Sequence, residues 1–149
     1  MEWVTALQGQ VIGLDTTPLI YFIEESPTYL ETIRPFFVAM DRGEFSVVTS
    51  TVTLLEVLVH PFRRGEKKLA QQYRDVLLGA KGLTTVPLSQ DIAEEAARLR
   101  ASHNIRTPDA IQMATALKAG ATRFLTNDAR LPSLPELQVL VLDELMAES

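Results

Sequence analysis

Apolar residues alternate along this chain between two spacings. Five short runs rich in β-branched residues, 10–14, 45–49, 83–86, 123–126 and 138–142, have little polar content, as strands covered on both faces do. Between them the spacing becomes helical. Ile92, Ala96 and Leu99 form one apolar stripe after Ser89, and Ala110, Ile111, Ala114 and Leu117 form another after Thr107. Thr17-Pro18, Ser26-Pro27 and Thr107-Pro108 each set a capping hydroxyl before a proline suited to a first helical turn. This alternation predicts an α/β fold, a three-layer α/β/α sandwich with a mostly parallel central sheet of about five strands. No repeat, low-complexity tract or long linker divides the 149 residues, so a single domain over 1–149 is expected. In such sheets ligands bind beyond the carboxyl ends of the strands.

Four acidic residues stand alone in neutral or apolar surroundings. Asp15 follows the first predicted strand in VIGLDTTPLIYFI, and Asp128 follows the fourth in FLTNDA. Asp109 is the sole charge in TPDAIQMATAL, and Glu56 the sole charge in SVVTSTVTLLEVLV. Each has an ordinary explanation. Asp109 and Asp128 suit a helix N-terminus, worth ~0.3–1 kcal/mol through the macrodipole. Asp15 suits an exposed turn, and Glu56 a solvent-facing helical position, although Val52 and Val59 share its face. Their recurrence, one per strand–helix unit, instead suggests a cluster.

Two carboxylates ~4 Å apart repel by ~4 kcal/mol at an effective dielectric near 20. A convergent quartet therefore keeps protons or takes up cations. Hard oxygen ligands with no His or Cys nearby select Mg²⁺ or Mn²⁺ over zinc. Such ions activate water and neutralise a phosphodiester during in-line displacement.

DTTPLIY at 15–21, LLEVL at 54–58, TPDAIQMATAL at 107–117 and LTND at 125–128 resemble, in order and spacing, the successive motifs of PIN domains. The resemblance spans nearly the whole chain and is strongest to the compact VapC-type toxins of toxin–antitoxin pairs. It implies a metal-dependent endoribonuclease using an acidic quartet of Asp15, Glu56, Asp109 and Asp128, with Asp15 and Asp109 as principal metal ligands. Thr126 matches the hydroxyl residue that accompanies the last acid. Thr17 stands where the family often has Asn or Ser, so a supporting hydrogen bond is expected from it. The resemblance also implies an RNA substrate, a cognate antitoxin and a homodimer, with Tyr21, Phe22, Phe36 and Phe37 offering core or dimer surface.

Composition changes this picture little. The net charge of −5 disfavours nucleic acid at first, but four carboxylates committed to metal leave −5 + 4 = −1. Arg63, Arg64, Lys67 and Lys68 make a local basic segment, read either as an RNA contact or as a solvated helix face. Arg98, Arg100 and Arg106 are open to the same two readings, whereas His60 and His103 lack metal-ligand spacing and read as structural. The absence of cysteine removes disulfides and thiolate chemistry, and with no signal-like N-terminus a cytoplasmic location is expected. No apolar stretch reaches the ~20 residues of a membrane span. Two rival functions remain: a catalytically idle PIN-like binding module and an aspartate-based phosphotransfer domain. The second is weakened because Thr17 stands where a haloacid-dehalogenase-type domain needs an acid, and because a receiver's paired acid and lysine are lacking.

Overall fold

The computed structural model describes residues 1–148. Five strands, β1 (Val11–Leu14), β2 (Ser46–Ser50), β3 (Leu83–Val86), β4 (Arg123–Thr126) and β5 (Gln138–Val141), form one sheet in the order β3-β2-β1-β4-β5. Every pairing is parallel. The helices are α1 (Glu2–Thr5), α2 (Thr16–Ile23), α3 (Leu30–Asp41), α4 (Thr51–Arg64), α5 (Lys67–Gly79), α6 (Gln90–Ser102), α7 (Thr107–Lys118) and α8 (Leu142–Ala147).

Side chains alternate across a strand, so each strand feeds two cores. Ile12, Leu14, Val47 and Leu125 pack with Leu19, Phe36, Phe37, Val57 and Tyr73 on one face of the sheet. Val48 and Phe124 pack with Ile92, Leu99, Ala110, Met113 and Ala114 of α6 and α7 on the other. Gly13 faces this second layer, where a Cβ would lie 2.6 Å from the Ala116 Cβ and 2.8 Å from Phe124 Cδ1. Only glycine lets α7 lie this close to the central strand.

The predicted strands agree with the observed ones to within a residue at each end, but three helix starts differ. Thr107 is the first residue of α7 and no cap, since Arg106 holds the cap position and no side chain bonds the first turn there. Asp15, not Thr17, caps α2, because its carboxylate reaches the Thr16 N–H. Ser26-Pro27 opens a turn: Ser26 Oγ accepts from the Tyr29 N–H, and α3 begins only at Leu30. Phe36 and Phe37 are buried, with the partly buried Phe22 stacked on Phe37 at 4.2 Å, so Phe36 and Phe37 belong to the core of this chain and offer no dimer surface.

Candidate metal-dependent active site

The sheet order creates a crevice beside its centre. From β1 the chain winds outward through β2 and β3, then returns to the other side of β1 as β4 and β5. The carboxyl ends of β1 and β4 therefore form the switch point where α/β sheets hold their ligands. Asp15 follows β1 there, and Asp128 lies two residues beyond β4. α4 leaves the same edge directly from β2 with Ser50 as its cap, which puts Glu56 in its second turn. α7 runs back against the strands, so Asp109 sits in its first turn at that edge.

Asp15 is the buried member, at 8% exposure. Its Oδ1 accepts from the Thr16 N–H at 2.8 Å and its Oδ2 from the Thr126 hydroxyl at 2.7 Å. Desolvation pushes its pKa up to about 6, with the negative charges of Asp109 and Glu56 adding to the rise against the two hydrogen bonds. Thr126 also accepts from the Asp128 N–H at 3.0 Å, tying the fourth acid's backbone to the first acid's side chain.

The other acids are more open. Glu56 is exposed, as are Leu55 and Val59, so its apolar sequence context overstates its burial. It reaches inward to the Thr16 hydroxyl, which donates to Oε1 at 2.7 Å. Asp109 keeps 14% side-chain exposure and meets Arg106 Nε at 3.4 Å. Asp128 is gripped by Arg130, whose Nε and Nη2 reach its two carboxylate oxygens at 3.0 Å each. That hydrogen-bonded guanidinium holds the Asp128 pKa below the usual carboxylate range.

Among the described residues no three carboxylates or imidazoles stand close enough to ligate one ion. The donor set nevertheless fits a hard divalent cation. A buried carboxylate reluctant to ionise lies near Asp109 and Glu56, and the cations that meet Asp109 and Asp128, Arg106 and Arg130, are 75% and 83% exposed in their side chains.

The Thr17 side chain has no hydrogen bond among the described residues, and Thr16 takes the supporting role expected of it. Arg63, Arg64, Lys67 and Lys68 are exposed at the α4–α5 corner, with Arg64 4.0 Å from Glu66. At 1.5 Å rise per residue this corner lies about 12 Å along α4 from Glu56. Sequence reasoning missed Arg130, Thr16 and Gln112. Gln112 did carry a signal, as the one amide within the apolar run of α7.

A comparison with protein families matches residues 12–137 to the PIN domain. The chain belongs to the PIN-domain family. Among curated proteins none matches it significantly in sequence. Solved structures share its fold. One is VapBC2 from Rickettsia felis bound to a promoter DNA fragment, at TM-score 0.69 and 18% identity, covering 88% of this chain and 98% of that one. A toxin–antitoxin complex from Klebsiella pneumoniae gives TM-score 0.65 at 24% identity, covering 89% and 97%. VapC20 of Mycobacterium tuberculosis, a sarcin–ricin-loop-cleaving toxin, gives 0.62 at 18%, covering 76% and 86%. No helix of the described residues is long and apolar enough to cross a membrane.

Proposed function

We propose that this protein is a Mg²⁺- or Mn²⁺-dependent endoribonuclease, the toxin of a toxin–antitoxin pair. The observation that carries the reading is the buried Asp15 carboxylate at the switch point, pushed up to about 6 within reach of the Asp109 and Glu56 charges. An acid that costly to ionise is poorly suited to structural work and well suited to receiving a cation.

In this reading Asp15 and Asp109 hold the metal, with Asp128 and Glu56 completing the acidic rim. A bound divalent ion supplies an activated water and neutralises charge on the scissile phosphodiester. The chain's residues set the geometry. Thr126 and the Thr16 amide each occupy one oxygen of Asp15 and so fix its plane, leaving the remaining lone pairs for the cation. Thr16 steers Glu56 over the same crevice. Arg106 and Arg130 exchange their carboxylate partners for RNA phosphates, and the corner of Arg63, Arg64, Lys67 and Lys68 receives the strand farther from the cut.

The partner is a cognate antitoxin, since two fold relatives are toxin–antitoxin assemblies. The exposed stripe of Leu55, Val59 and Phe62 on α4 offers it an apolar seat. We further propose a homodimer working in the cytoplasm.

The grip of Arg130 on Asp128 favours one competing reading, a neutralised module that binds RNA without cutting it. Cleavage of single-stranded RNA, abolished by EDTA and restored by Mn²⁺, supports the nuclease. RNA binding with no cleavage at millimolar Mn²⁺ would establish the binding module instead.

A further inference from the structure

Gln112 lies on α7 one turn beyond Asp109 and is 2% exposed, surrounded by hydroxyls. Its Nε2 donates to Thr16 Oγ1 at 3.2 Å and to Thr53 Oγ1, which uses both amide hydrogens. The proton directions in this cluster follow from its inner end. Thr49 Oγ1 donates to the Leu14 carbonyl at 2.8 Å, so at 2.8 Å it must accept from Thr53. Thr53 then has no proton left for Thr16, 3.3 Å away. The Thr16 oxygen receives from Gln112, and its one hydrogen points at Glu56 Oε1, 2.7 Å off. Reversing the amide would draw that hydrogen inward and set a hydroxyl lone pair against the Glu56 carboxylate.

We propose that Gln112 is a positioning residue for the reaction: its amide fixes the Thr16 hydroxyl as an outward donor and thereby holds the exposed Glu56 carboxylate over the crevice. The proposal rests on the reading of Glu56 as a member of the metal site. Glu56 leaves α4 at an exposed position, and Thr16 is its one hydrogen-bond partner among the described residues. A glutamate held at one point from an exposed helix face samples other rotamers once that point is lost. α7 thus contributes twice to the site, directly through Asp109 and at one remove through Gln112.

The test compares the full-length parent with Gln112→Met, Thr16→Val, their double variant and Glu56→Gln. Each is measured for RNA cleavage in Mn²⁺ and for Mn²⁺ affinity by titration. Gln112→Met keeps length and volume but removes the donor. We expect each of the first two to lower kcat about tenfold with KM for RNA unchanged, as losing a hydrogen bond to a charged group allows. The double variant should be no slower than the worse single, because both changes break one relay. Parent kcat in Gln112→Met, or losses that multiply in the double variant, would overturn the proposal and leave Gln112 as core filling. Melting curves in EDTA establish that each variant folds, and Gln112→Leu replaces a methionine variant that does not. Parent-level cleavage by Glu56→Gln would instead overturn the reading of Glu56. Where the parent cuts no RNA, the same cycle is read from Mn²⁺ affinity. Non-additive weakening there sustains the relay, and absence of Mn²⁺ binding overturns relay and nuclease reading together.

Discussion

Burial and two neighbouring acids penalise ionisation of Asp15, and its pH dependence has a definite sign. The native state holds its proton up to about 6 against an ordinary value of 3.8, so between these values the folded chain binds more protons than the unfolded one. Stability without metal therefore falls as pH rises through that window, by about 3 kcal/mol in all. Asp15→Asn removes this loss while giving up one acceptor, at a cost of about 1 kcal/mol. In EDTA at pH 7.5 the variant should be more stable than the parent by about 1–2 kcal/mol, and the advantage should vanish near pH 4. Denaturant melts at the two pH values check this, and parallel pH profiles would refute it. Arg130 acts in the opposite sense, as a resident cation that would compete with the proposed metal at Asp128. Arg130→Gln should tighten Mn²⁺ binding about two- to fivefold, the scale of an exposed ion pair, and unchanged affinity by titration would show that the pair does not compete. At this scale the acids are legible in the sequence and most of their partners are not. Asp15, Glu56, Asp109 and Asp128 stand out as lone charges and Thr126 through the family resemblance, whereas Thr16 and Gln112 gain their roles only from neighbours on other elements, 96 residues apart from one another. Glu56 misled for a related reason, since the apolar residues beside it on α4 are themselves partly exposed.

At the scale of elements, the contact between α7 and β1 governs whether the site exists. Gly13 has no room for a methyl group, and the Ala116 Cβ that it would strike is fixed to the helix backbone. Gly13→Ala should push α7 off the sheet and destabilise the fold by about 1–3 kcal/mol, the usual range for overpacking. Because α7 carries both Asp109 and Gln112, Mn²⁺ affinity should fall in the variant that still folds. Melts and titrations together decide this, and a parent-like melting temperature would mean that the layer yields locally. The elements themselves were largely legible. Period and β-branched content locate all five strands, because strands buried on both faces have little freedom of composition. The helix starts were less so. A hydroxyl before proline suits a cap at Ser26 as well as a turn, and in the fold Ser26 holds the turn that stacks Tyr29 on Tyr21 at 4.1 Å.

At the scale of the whole molecule, strand order is what brings the acids together. Residues 12–14 of β1 pair with 123–125 of β4, so the crevice lies between the earliest strand and one of the last. Contacts so distant in sequence form late, because the loop entropy must be met before they yield anything. During synthesis the chain emerges from the ribosome with Asp15, Thr16 and Glu56 already made, but with neither Thr126 to hold Asp15 nor Asp128 to close the rim. A nascent or truncated chain ending before β4 thus carries three of the four acids but lacks the fourth and the hydroxyl that holds Asp15. On the nuclease reading proposed above, cleavage waits until β4 has been made and paired with β1, a safeguard written in chain connectivity alone.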